Sequence, residues 1–112
     1  MSESGLAERH CVPCRGGVPP LEGAELEKYL SQLSGWRVED GRRLQKSFEF
    51  PDFAAALAFV NRVGEEAERE GHHPDLYLSW GKVEARVWTH KIGGLTESDF
   101  ILAARIDGQY RA

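Results

Sequence analysis

The sequence predicts an α+β domain: a four-stranded antiparallel sheet with helices packed on one face, in the order α-β-β-α-β-β-α. Apolar residues recur at helical spacing in three separate stretches. Two further stretches alternate apolar and polar residues around turn signals, one at Asp40-Gly41 and one near Gly81. The connections are short, which favours antiparallel neighbours and a single helical layer.

Each element has its own warrant. Residues 1–20 have no sustained periodicity and end in Gly16-Gly17-Val18-Pro19-Pro20, so they are expected to form an irregular arm ahead of a domain over 21–112. Leu26, Tyr29, Leu30 and Leu33 share a helical face that Ser34-Gly35 terminates. Trp36 and Val38, then Leu44, Phe48 and Phe50 with the stem of Lys46, alternate on either side of Asp40-Gly41, where a tight hairpin needs positive φ.

Pro51-Asp52 opens the second helix. Its packed face is expected to carry Phe53, Ala56, Leu57, Val60, Val63 and Ala67, with Arg62, Glu65, Glu66 and Arg69 mostly elsewhere. Gly71 suits the left-handed residue after the last turn, and Pro74 blocks resumption. Strands are expected over 75–80 and 82–90. In the latter, Val83, Ala85, Val87 and Thr89 share one face, and Glu84, Arg86, Trp88 and His90 the other. After a loop at Lys91–Gly94, Thr96 caps a third helix with Asp99 at the reciprocal position and a staple between Leu95 and Phe100. Leu102, Ala103, Ile106 and Tyr110 continue its face.

Composition narrows the functional classes. A chain of 112 residues suits one domain with a modest core. A net charge of −4 without a basic stripe argues against nucleic-acid binding, which needs cations to displace counterions. The longest apolar run, Phe53–Val60, is far short of a membrane span. Met1–Glu8 lacks the basic and apolar regions of a secretory signal, so a cytoplasmic location is expected. Cys11 and Cys14 allow one bridge at most, too few for a disulfide framework.

Three of the four histidines, His72, His73 and His90, lie close together in sequence. Histidine exchanges protons near neutral pH, so two such rings facing one ligand can act as acid and base. Glu68 and Asp99 can orient the rings or stabilise their charged forms. Taken singly, each residue has an ordinary structural account. A His-His-Pro turn is a common polar helix exit, His90 suits a strand end, Asp99 is a cap partner and Glu68 a solvated helix residue.

The ensemble is more specific. Glu68, then His72-His73-Pro74, Trp80, His90 and Asp99 stand at the intervals of the signature of pterin-4a-carbinolamine dehydratases, which the chain resembles from about Leu21 onward. Ser34-Gly35-Trp36 and Gly94-Leu95-Thr96-Glu97-Ser98-Asp99 extend the likeness. The resemblance implies an enzyme that removes water from a 4a-hydroxytetrahydropterin, such as 4a-hydroxytetrahydrobiopterin, to give a quinonoid dihydropterin in tetrahydropterin recycling. It implies His72 and His90 as proton-transfer residues. His73 holds the substrate and shares in acid–base work, Glu68 and Asp99 support the site, and Trp80 occupies the aromatic position. It further implies no cofactor, no metal, and assembly as a homodimer or homotetramer.

Other classes compete. A metal site would draw on His72, His73, His90 and Asp99, but adjacent histidines chelate one ion poorly and no His-x3-His helix pair is present. His10-Cys11-Cys14 offers three ligands where zinc wants four, and no strand-to-helix setting for redox work. A pterin-binding or protein-dimerisation module, or a role in molybdopterin metabolism, would use the same fold without this turnover. The apolar circumference of the third helix, including Ile101 beside Leu102, suits either burial at home or a partner subunit.

Overall fold

The computed structural model describes residues 5–9 and 19–110. Its elements are helix α1 (Gly23–Leu30), strands β1 (Arg37–Glu39) and β2 (Arg43–Glu49), helix α2 (Phe53–Glu70), strands β3 (Asp75–Ser79) and β4 (Lys82–Val87), and helix α3 (Glu97–Gly108). The strands form one antiparallel sheet in the order β1-β2-β4-β3, so β4 is central and β3 an edge. This is the α+β architecture expected.

Local chemistry explains the boundaries. In the β1–β2 turn, Asp40 and Gly41 both take positive φ, 54° and 68°. Asp52 caps α2 by accepting a hydrogen bond from the Ala55 N–H at 2.8 Å. Gly71 ends α2 in the left-handed conformation at φ 65° and donates its N–H to the Ala67 carbonyl.

The core lies between the sheet and the helices. Leu44, Phe48, Val83, Ala85 and Val87 supply the sheet side, and Ala56, Phe59, Val63, Phe100, Leu102 and Ile106 the helix side. Burying one such large side chain contributes about 2 kcal/mol. Rings reinforce it: Phe59 packs with its centroid 4.8 Å from Phe48 and 5.1 Å from Phe50, and Tyr110 closes the group. Lys46 keeps its stem in this row while its ammonium reaches the Ser34 carbonyl and Asp107, each at 2.8 Å.

Five expectations about the elements need correction. α1 stops at Leu30, and Leu33 lies in the tighter turns beyond it, where the Gln32 and Leu33 N–H groups donate to the Tyr29 and Leu30 carbonyls. Phe53 and Leu57 are not core residues but are 43% and 40% exposed, and Phe59 takes the inward position instead. Apolar residues surround the first half of α2, so periodicity did not choose among its faces; the aromatic group under β2 did. Glu66 is buried at 4% exposure, where it accepts hydrogen bonds from Arg69 and Arg105. β4 ends at Val87 rather than 90, because Thr89 instead bridges Gly94 across the following turn. β3 ends at Ser79 rather than 80.

The α3 surplus is satisfied within the chain. Ile101 and Leu102 are 2% and 0% exposed. The short 3₁₀ turn Gly5–Glu8 lies against α3 and delivers Leu6 to the core at 0% exposure. Arg105 holds this segment by donating two hydrogen bonds to the Arg9 carbonyl, at 2.9 and 2.6 Å. His10, Cys11 and Cys14 lie outside the described residues.

Candidate active site

The α2 exit and the end of β4 meet at one end of the sheet. Asp75, the first residue of β3, pairs with Arg86 near the end of β4, so the segments carrying His72-His73 and Thr89-His90 leave side by side. The first turn of α3 completes the site from the helical layer.

Asp99 is its centre. The side chain is fully buried, and its Oδ2 accepts the Thr96 N–H and the Thr89 hydroxyl, each at 2.8 Å. The first bond is the reciprocal arm of the capping box expected from Thr96 and Asp99. Oδ1 lies 2.6 Å from Nε2 of His72, whose side chain is 17% exposed. A carboxylate accepts hydrogen bonds and donates none, so the proton in this contact belongs to His72 Nε2. Nδ1 is then the acceptor nitrogen of the neutral ring. A carboxylate that sets the tautomer of a histidine is an arrangement suited to moving protons.

His73 is held differently. Its Nε2 lies 2.6 Å from Glu68 Oε2, with side chains 60% and 79% exposed, so the pair orients the ring but stabilises the fold little. Asn61, Gly64, Glu68, His73, Pro74 and Leu76 line an open groove between α2 and the edge strand β3. His90 is exposed at the start of the turn after β4, with its ring against Trp88.

The structure therefore brings His72, His73, His90, Glu68 and Asp99 to one end of the sheet. It does not bring Trp80 there. Trp80 sits at the β3–β4 turn, the opposite end of both strands, and is 72% exposed. Two residues of the site were not anticipated. By alternation Thr89 belongs to the aliphatic row, where a lone hydroxyl among Val83, Ala85 and Val87 is the available signal. Trp88 shows in the sequence only as an outward-facing strand residue. Among the described residues, no three His, Cys, Asp or Glu side chains converge as metal ligands. None of the described helices is long and apolar enough to cross a membrane.

A helix-backed antiparallel sheet with a buried histidine–carboxylate pair at one end places the chain among small α+β proteins. Comparison with known proteins gives the family. Residues 19–109 match the sequence profile of pterin 4 alpha carbinolamine dehydratase, and the chain belongs to that family. A protein of Rubrobacter xylanophilus, provisionally named a pterin-4-alpha-carbinolamine dehydratase, is 60% identical over 104 residues, covering 93% of this chain and 97% of the relative. A similarly named protein of Rickettsia bellii is 53% identical over 103 residues, covering 91% of each chain. Among solved structures, a transcriptional coactivator/pterin dehydratase from Brucella melitensis superposes with TM-score 0.76 at 32% identity, over 80% of this chain and 97% of that one. A pterin dehydratase-like protein identified as a RuBisCO assembly factor in the alpha-carboxysome superposes at 0.59 and 26% identity, over 68% and 89%.

Proposed function

We propose that this protein is a 4a-hydroxytetrahydropterin dehydratase, with His72 and His90 transferring protons and His73 holding the substrate. The observation that carries the reading is the buried Asp99 carboxylate 2.6 Å from His72 Nε2, a contact that leaves the opposite nitrogen as the acceptor whenever the ring is neutral. Elimination needs two proton transfers. The C4a hydroxyl takes a proton from the acid and leaves as water as the C4a–O bond breaks. N5 gives its proton to the base, and the electron pair of that N–H bond forms the new double bond to C4a. The base gains one proton, the acid loses one, and exchange with solvent restores both.

Acid–base catalysis of this kind contributes on the order of 10²–10⁴-fold. The decisive measurement is stopped-flow dehydration of a 4a-hydroxytetrahydropterin. Turnover by the purified protein is expected to fall by about that factor in the His72→Ala/His90→Ala double variant. Near-wild-type turnover in the folded variant would reject the assignment. No cofactor or metal is proposed, so turnover is expected to persist after chelation.

A second reading is a protein-binding module. It draws support from the coactivator and assembly-factor descriptions of the two structural relatives, and from the exposed Phe53 and Leu57 on α2. The same exposed pair supports the proposed homo-oligomer. Stoichiometric protein binding without pterin turnover would favour the module over the enzyme.

A further inference from the structure

The three histidines are oriented by different means. His72 is fixed by Asp99 and His73 faces Glu68, each at 2.6 Å. Among the described residues, the His90 ring has no hydrogen-bonding partner. Its contact is with Trp88, the rings lying edge to face with centroids 4.3 Å apart and planes at 71°. An exposed imidazole with two rotatable bonds would otherwise sample several rotamers, and an edge-to-face ring contact favours one of them.

Trp88 is suited to be the fixed member of this pair. It is half-buried and packs against the hydrophobic core. The β2–β4 register pairs Leu44 with Val87 and so sets Arg43 level with Trp88. The Arg43 guanidinium carbon lies 5.4 Å from the indole centroid, and Asp40 holds Arg43 through a 2.8 Å hydrogen bond. The indole is thus braced by the core and by the neighbouring strand, and His90 leans on it two residues further along the chain. The Thr89–Gly94 bridge fixes the intervening backbone.

We propose that Trp88 is a positioning residue that holds the His90 ring in its proton-transfer orientation. This rests on the reading of His90 as a proton-transfer residue. The role differs from ligand stacking, because removing a positioning group lowers kcat while leaving substrate affinity in place.

The test compares Trp88→Phe, which keeps an aromatic face, with Trp88→Leu, which keeps apolar bulk against the core but has no ring. Dehydration kinetics are expected to show kcat falling roughly tenfold to hundredfold in Trp88→Leu, with KM nearly unchanged and most of kcat retained in Trp88→Phe. Proton NMR supplies a readout independent of activity. The indole ring current should displace the His90 ring resonances, identified by their loss in His90→Gln, and Trp88→Leu should return them to ordinary positions. Wild-type kcat in folded Trp88→Leu overturns the proposal. So do undisplaced His90 resonances in the wild-type protein, a result that stands even if both variants misfold. His90→Ala separates the two levels: slow turnover there with wild-type kcat in Trp88→Leu rejects the positioning role alone. Undiminished turnover in His90→Ala rejects the proton-transfer assignment and the role of Trp88 with it.

Discussion

Asp99 carries two duties through two oxygens: Oδ2 caps α3 and holds Thr89, while Oδ1 meets His72. Asp99→Asn separates them. An asparagine can still accept the Thr96 N–H and Thr89 hydroxyl through its carbonyl oxygen, so stability should fall by only about 1 kcal/mol, measured by urea unfolding. Its amide then points N–H at His72 Nε2, which must become the acceptor, and the proton moves to Nδ1. The ring is left in the wrong tautomer to act as a base, and kcat is expected to fall roughly 100-fold. A loss of stability alone would argue that Asp99 is only a cap. This residue was legible in sequence as a cap because Thr96 and Asp99 are three positions apart. Its contact with His72 crosses 27 positions, and the family signature supplied the expectation that Asp99 supports the site.

The α2 exit shows how one element sets another's chemistry. Gly71 takes φ 65°, and a Cβ added there would meet nothing within 4 Å. Gly71→Ala therefore pays only for the left-handed backbone, about 1 kcal/mol by urea unfolding. Gly71→Asn should cost less, because asparagine tolerates that conformation. This turn was readable from Gly71 and Pro74 because helix endings are local. Element faces and ends were less so. The apolar first half of α2 left Phe59 indistinguishable from Phe53 and Leu57 until the Phe48–Phe50 rings were in place across the core. The end of β4 depended on Thr89 bridging Gly94, a pairing with no local signal. Trp80 and Trp88 are equally aromatic in the sequence, and only the strand register separates them, Trp80 at the β3–β4 turn and Trp88 at the other end of β4.

At the scale of the molecule, α2, α3 and the first segment meet around Glu66. Burial pushes its carboxyl upward, but hydrogen bonds and charges from Arg69 and Arg105 outweigh this, and its pKa lies below the ordinary 4.5. A depressed carboxyl contributes stability fully above its unfolded value and loses it as pH falls through its folded value. Unfolding free energy should therefore decline as pH drops below about 4.5. Urea titrations across that range should be flatter for Glu66→Gln; equal slopes would show that other carboxylates dominate. The same Arg105 holds the Arg9 carbonyl, so Glu66 and the joint that keeps Leu6 in place share one guanidinium. No periodicity within residues 1–20 foretold that Leu6 would be buried, because the groove receiving it belongs to α3.

The cap on α3 also determines how the site fails. Helix ends fray before helix centres, and here the frayed turn would contain the carboxylate that orients His72. Opening it releases Thr96, Thr89 and His72 together. On the proposed function, cap and site then fail as one: whatever parts Asp99 from Thr96 also takes the orienting carboxylate from His72.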